Sequence, residues 1–155
     1  MQITVKIDGT IKKMNVDAGE KLSHALRRYN YLGVKEGCST GVCGACAIIM
    51  NGKVVNSCII YAPRANNSEI ITIEGIGQPH KPHIIQTVFN EIGAIQCGYC
   101  TPGMIVSVYK LLQDNPNPTE EEIKEALSGN LCRCTGYIKQ IEAVKLAAKK
   151  LREGV

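Results

Sequence analysis

Tryptophan is absent from this chain of 155 residues and phenylalanine occurs once. Aromatic side chains carry much of the energy of large cores, so a single large core is disfavoured here. Two half-size domains would each need some other staple. No apolar run approaches the ~18 residues that a membrane span requires. The N-terminus, Met1 to Lys6, lacks the basic region, apolar stretch and cleavage site of a signal peptide, which points to the cytoplasm. Charge of one sign is not concentrated: residues 1–76 hold 9 basic and 6 acidic side chains, and residues 77–155 hold 9 and 8. That balance excludes a basic patch of nucleic-acid type. There is no internal repeat and no low-complexity segment. With 45% hydrophobic and 21% charged residues, disorder is excluded as well.

Cysteine is what the chain has in excess. Eight occur, at 38, 43, 46, 58, 97, 100, 132 and 134. A reducing compartment disfavours disulfides, and an even count in clustered spacings then points to metal.

Two regions of different character hold these cysteines. Ile3, Val5 and Ile7 alternate with polar residues as in a half-buried strand. Asp8-Gly9 is a hairpin turn leading to a returning strand over Thr10–Val16. Leu22, Ala25, Leu26 and Tyr29 predict an amphipathic helix over about 20–30. A glycine-rich loop from Gly37 to Cys46 follows. A second hairpin turns at Asn51-Gly52, between Ala47–Met50 and Lys53–Val55, and Ile70–Ile73 predicts a last strand. Gly75, Gly77, Pro79 and Pro82 then mark a linker. Beyond it the periodicity is helical. Ile84, Ile85, Val88, Phe89 and Ile92 form one face. Thr101 is placed to cap a second helix with Pro102 at its first position, and Met104, Ile105, Val108, Leu111 and Leu112 form its stripe. Thr119 with Glu122 makes a capping box for a third helix, which Gly129 would end. Ile138, Ile141, Val144, Ala148 and Leu151 predict a fourth, with Lys149, Lys150 and Arg152 in its last turns. The expected fold class is α+β: a small mixed domain over 1–76, then a four-helix bundle over 77–155.

Cys38-x4-Cys43-x2-Cys46, followed after eleven residues by Cys58, has the spacing of plant-type [2Fe–2S] ligands. Gly37, Gly41 and Gly44 let the backbone wrap a compact cluster and aim N–H groups at its sulfurs. Zinc is the alternative, but it prefers paired C-x2-C knuckles, and only Cys43 and Cys46 form one here. The second set, Cys97-x2-Cys100 with Cys132-x-Cys134, falls in two interhelical loops that can meet at one end of the bundle. Spacing alone leaves zinc and an iron–sulfur cluster both open. A thioredoxin-like pair at Cys97 and Cys100 lacks the surrounding βαβ pattern.

Three longer motifs carry a resemblance. Glu36-Gly37-Cys38-Ser39-Thr40-Gly41-Val42-Cys43-Gly44-Ala45-Cys46 is one. Gln96-Cys97-Gly98-Tyr99-Cys100-Thr101-Pro102-Gly103 and Gly129-Asn130-Leu131-Cys132-Arg133-Cys134-Thr135-Gly136-Tyr137 are the others. In order and with no ligand missing, they resemble the small iron–sulfur subunit of the molybdenum hydroxylases, the group of xanthine dehydrogenase, aldehyde oxidoreductase and carbon monoxide dehydrogenase.

The resemblance implies an N-terminal ferredoxin-like β-grasp domain and a C-terminal helical domain, each with one [2Fe–2S] cluster. It implies partners: a large subunit that binds molybdopterin-molybdenum and a medium subunit that binds FAD, joined in a hetero-oligomer that a two-fold axis could double. Gln96 and Cys134 would touch the pterin. Electrons would pass one at a time from molybdenum through both clusters towards FAD. The chain would be an enzyme subunit with no substrate-binding catalytic residue of its own, so its sequence does not name the substrate. Family frequency favours a purine or an aldehyde over carbon monoxide, nicotinate-like heterocycles or aromatic acyl-CoA compounds. Two oxidised clusters with their thiolates contribute about four negative charges, which offsets the formal +4 of the chain. A free-standing two-cluster ferredoxin is the runner-up, and a colourless zinc module a third reading. Tyr99 and Tyr137 flank ligands and are expected to shield them. Arg133 could pair with cluster charge or lie solvated. His24, His80 and His83 are expected to be ordinary surface histidines.

Overall fold

Both hairpin turns form as their sequences require. The computed structural model describes residues 1–154; Val155, the last residue of the expected helical domain, lies outside the described residues. Asp8 and Gly9 take φ of 48° and 80°, and Asn51 and Gly52 take 49° and 79°, the left-handed pairs that match the twist of an antiparallel ribbon. They join β1 (Gln2–Ile7) to β2 (Thr10–Asn15) and β3 (Ala47–Met50) to β4 (Lys53–Asn56). A short strand β5 (Glu69–Ile71) runs between the hairpins, parallel to β1 and antiparallel to β3, which gives the order β2-β1-β5-β3-β4. Helix α1 (Leu22–Arg28) buries Leu22, Ala25 and Leu26 in one core with Ile3, Val5, Ile7, Met14, Ile48 and Ile70.

Strand β3 belongs to two cores. Ile48 faces the first, whereas Ala47 and Ile49 join a second core with Phe89, Met104 and Val108. Its unbroken apolar run follows from burial on both faces. The second core is closed by α3 (Ile84–Glu91), α4 (Thr101–Asp114), α5 (Glu120–Leu127) and α6 (Ile138–Glu153). Helix α3 packs on α4 and α6, α5 packs on the same two, and α4 also lies against β3. Phe89, the only phenylalanine, is fully buried there. Among the described residues no helix is long and apolar enough to cross a membrane.

Four local expectations are corrected. The strand over Ile70–Ile73 stops at Ile71, because the Thr72 amide and hydroxyl bind the Asp8 carboxylate and draw the chain out of the ladder. Ile73–Ile76 then form the single helical turn α2, which buries Ile76 in the second core. Thr101 does not cap α4; Cys100 occupies that position in helical conformation, and Pro102 is the second residue of the helix. His83 is not a linker surface residue. It caps α3, with Nδ1 accepting from the Ile85 amide at 3.3 Å, and its ring meets Tyr109 edge to face at 5.3 Å between centroids. The stripe of α6 is rotated: Gln140, Ala143, Val144, Ala147 and Ala148 are buried, while Ile138 and Leu151 are exposed. The capping box of Thr119 and Glu122 forms as expected.

Candidate metal centres

The loop between α1 and β3 wraps Cys38. Its Sγ accepts backbone N–H bonds from Thr40 at 3.4 Å, Val42 at 3.3 Å and Cys43 at 3.3 Å. Hydrogen bonds from the Thr40 side chain, then from the Cys43, Thr40 and Val42 amides, draw the Cys38 thiol down to about 5. A thiolate is therefore the resting form at neutral pH, which is the form that ligates metal. Gly37 lies so close that a Cβ there would meet Cys43 Sγ at 2.8 Å. Cys46 begins the entry to β3, and Cys58 lies in the 3-10 turn Ser57–Ile59 after β4; both are buried. That turn is tied to Cys46 by Ser57, whose hydroxyl donates to the Cys46 carbonyl at 2.8 Å. The Asn56 amide donates to the Gly41 carbonyl at 2.8 Å, which fastens the loop tip to the same hairpin. Cys58 is pushed up to about 11 by burial and by its neighbour Cys46.

At the end of the helices, the loop before α4 brings Cys97 and Cys100 against the loop between α5 and α6, which carries Cys132 and Cys134. Cys134 Sγ and Cys97 Sγ are 3.6 Å apart, and Cys100 neighbours Cys132. The amide of Tyr99, then the Cys134 thiol, lowers Cys97. Burial, with Cys132 beside it, pushes Cys100 up to about 12. Burial also works against Cys132, but hydrogen bonds from the Thr135 hydroxyl and the Cys134 and Thr135 amides outweigh it and hold the thiol low. Tyr137 fixes this loop: its hydroxyl donates to the Asn130 carbonyl at 2.9 Å and accepts from the Cys132 amide at 2.8 Å.

The donors fit a binuclear cluster better than a single ion. In the second set the thiols fall in two pairs, Cys97 with Cys134 and Cys100 with Cys132; in the first, Cys46 lies beside Cys58, and Cys43 meets Cys38 through its backbone amide. A separation of 3.6 Å is far beyond a disulfide bond. Two pairs of soft sulfur donors suit two irons. Gln96, Cys97, Arg133 and Cys134 are exposed, so Arg133 is solvated and the Gln96 and Cys134 side chains face outward from the same two loops.

A seam joins the two sets. The Leu131 amide donates to the Cys43 carbonyl at 2.9 Å, and Leu131 immediately precedes Cys132. Buried Asn130 donates from Nδ2 to the Gly44 carbonyl at 3.2 Å and accepts from the Ser107 hydroxyl at 2.7 Å. Lys35 Nζ reaches the Gly98 carbonyl at 3.4 Å and lies 5.0 Å from the Tyr99 ring centroid, while the Tyr99 hydroxyl donates to the Glu36 carbonyl. Tyr99 thus bridges the two loops. Gly103 belongs to the seam too, since a Cβ there would meet the Gly44 carbonyl oxygen at 2.2 Å. Sequence patterning missed Asn130, Ser107 and Gly103 as seam residues; only the places of Asn130 and Gly103 inside cysteine motifs hinted at a role.

Comparison with known proteins gives a consistent result. The family described as 2Fe-2S iron-sulfur cluster binding domain matches residues 5–69, and the one described as [2Fe-2S] binding domain matches residues 72–145. The nicotinate dehydrogenase small FeS subunit of Eubacterium barkeri is 48% identical over 149 residues, 96% of this chain and 95% of its own length. The nicotine 6-hydroxylase small subunit of Paenarthrobacter nicotinovorans is 45% identical, over 93% of this chain and 87% of its own. Among solved structures, a chain of quinoline 2-oxidoreductase from Pseudomonas putida 86 superposes with a TM-score of 0.94 at 39% identity, covering 99% of this chain and 97% of that one. The aldehyde oxidoreductase of Desulfovibrio gigas gives 0.95 at 39% identity, covering all of this chain but 18% of that much longer one.

Proposed function

The chain belongs to the iron–sulfur subunit family of the molybdenum hydroxylases, and from that premise we propose that it relays electrons, one at a time, from a molybdenum centre towards FAD. Cys38, Cys43, Cys46 and Cys58 hold one [2Fe–2S] cluster, and Cys97, Cys100, Cys132 and Cys134 hold the other. When bound, each supplies one-electron redox chemistry at four thiolates. The residues of the chain do the rest. Amides of Thr40, Val42 and Cys43 compensate negative charge at Cys38. The observation that carries the reading is the Leu131–Cys43 hydrogen bond of 2.9 Å, because it links the two ligand sets through backbone alone.

Residues 1–76 are read as a ferredoxin-like β-grasp domain and 77–155 as a helical cluster domain. Gln96 and Cys134, exposed together, are assigned to the pterin of a large subunit, and the Cys38 loop faces an FAD subunit. Exposed Val42 and Ile59 at that loop, and Leu131 and Ile138 at the other, suit burial against partners. The working assembly is a cytoplasmic hetero-oligomer, doubled about a two-fold axis. Two relatives named above carry nicotinate and nicotine in their names, so nicotinate-like pyridine compounds move ahead of purines and aldehydes as substrates of the complex.

Iron and acid-labile sulfide analysis with electron paramagnetic resonance of the reduced chain tests this. Four irons, four sulfides and two spin signals are expected. Cys58→Ser should remove one signal and Cys100→Ser the other. Zinc in the second set would sink the relay, and recovery of the chain alone from a native extract would favour the free-standing ferredoxin.

A further inference from the structure

Gln140 lies in the first turn of α6 and is 1% exposed. Its Nε2 is 2.9 Å from the Ala94 carbonyl and 2.6 Å from Thr135 Oγ1. A carbonyl can only accept, so the amino end of the amide must face Ala94. The same amino group then spends its second hydrogen on Thr135. Having accepted there, the Thr135 hydroxyl directs its own hydrogen elsewhere, and Cys132 Sγ is 3.0 Å away. A thiolate can only accept. The chain of donors therefore runs one way, from Gln140 to Thr135 to the Cys132 sulfur.

A second observation bears on why an amide sits here. Gln140 Oε1 is buried with no hydrogen-bond partner. An orphaned buried acceptor is destabilising, because its lost hydration is not replaced. The amide is kept for its donors and in spite of its oxygen. Tyr137 ties Asn130 and Cys132 in the same loop through bonds that do not involve Gln140.

We propose that Gln140 is a positioning residue that locks the Thr135 hydroxyl onto the Cys132 sulfur and so raises the reduction potential of the cluster in the helical half. The proposal rests on Cys132 being a cluster ligand. A hydrogen bond to a ligating sulfur favours the reduced, more negative state.

The test is a potentiometric titration of the cluster-loaded full chain, followed by electron paramagnetic resonance. Thr135→Val and Gln140→Leu should each lower the reduced-to-oxidised ratio of one cluster about tenfold at fixed potential, ~59 mV for one electron. The cluster of the Cys38 loop should not move. The double variant should shift no further than Thr135→Val, and Thr135→Ser should keep the original potential. Gln140→Met preserves bulk and serves if Gln140→Leu does not load. In deuterated solvent, Thr135→Val should also lose one exchangeable deuteron coupled to the reduced cluster. Additive shifts from the two sites, a Gln140 variant with unchanged potential, or no lost deuteron would overturn the proposal. Absence of a second spin signal in the unsubstituted chain would overturn the two-cluster reading itself, and the proposal with it.

Discussion

Gly103 sits in the first turn of α4, where alanine is ordinarily the better residue. Helix propensity alone says that Gly103→Ala should stabilise by about 1 kcal/mol. The seam says otherwise. A Cβ at Gly103 would lie 2.2 Å from the Gly44 carbonyl oxygen and 3.3 Å from Asn130 Nδ2. Ordinary contact begins near 3.4 Å, so α4 and the Cys38 loop would have to part by roughly 1 Å. Rotamer changes cannot relieve this, because the nearest atom is backbone. Gly44 cannot retreat freely either: its φ is +71°, and its own Cβ position lies 2.1 Å from the Gly129 carbonyl. Overpacking of this kind costs up to about 3 kcal/mol. Less the helix gain, about 2 kcal/mol of destabilisation remains, or roughly 4–8 °C in Tm for a chain of this size. Thermal and denaturant melts of the loaded chain would measure it. Gly129→Ala is the control, since nothing lies within 4 Å of a Cβ at that position. A Gly103→Ala protein as stable as the original, or more so, would refute the argument that backbone contact sets the seam.

Three further outcomes follow from local chemistry. The Thr72 hydroxyl is 2.7 Å from Asp8 Oδ2 and 2.8 Å from Glu74 Oε2, and its one hydrogen cannot serve both carboxylates. Burial first, and Glu74 as well, raise the Asp8 carboxyl above its ordinary 3.8 although Thr72 opposes them, so the stability it contributes is present below that value and is lost as pH rises through the raised one. Asp8→Asn should therefore stabilise at neutral pH by on the order of 1 kcal/mol and flatten the pH dependence of thermal melts; a loss of stability would count against it. Thr119→Ala should cost about 1 kcal/mol by removing the α5 cap, read by denaturant melts. Glu122 is held below its usual range by the Thr119 amide and side chain, so its contribution is present above the ordinary glutamate value and is lost as pH falls through the lowered one. Glu122→Gln should accordingly reduce the acid-side loss of stability, and an unchanged acid slope would show that Glu122 does not contribute to it.

Local chemistry is also what made part of the fold legible. Asp8-Gly9 and Asn51-Gly52 specify their turns within two residues, and Thr119 with Glu122 specifies a helix start within four. That Cys97, Cys100, Cys132 and Cys134 would meet was legible from their two interhelical loops, although spacing alone left zinc and an iron–sulfur cluster both open there. His83 was misread because a histidine cap depends on the ring reaching its own helix, which proline-rich surroundings did not suggest. The stripe of α6 was misread because large residues were given the buried face. Ala143, Ala147 and Ala148 are buried instead, and small side chains let α3 approach closely. A glutamine on that face was a visible anomaly that patterning by size alone passed over.

The seam could not be read from sequence because its contacts join Gly44 to Asn130 and Cys43 to Leu131, across more than half of the chain. Yet its composition explains how two cysteine sets keep a fixed relation. Side chains of Asn130, Lys35 and Tyr99 take part, but the closest approaches are backbone: the Leu131 amide on the Cys43 carbonyl, and the Gly44 backbone against the missing side chain of Gly103. Side-chain contacts can repack by changing rotamers; backbone contacts between a positive-φ loop and a helix start have no such freedom. Sharing β3 between both cores adds a second constraint, since Ile48 and Ile49 cannot move apart. For a chain with so few aromatic anchors, this also accounts for stability: one strand and one seam let two small cores support each other. A relay whose rate depends on the separation of its sites gains most from being held by the least adjustable parts of the fold.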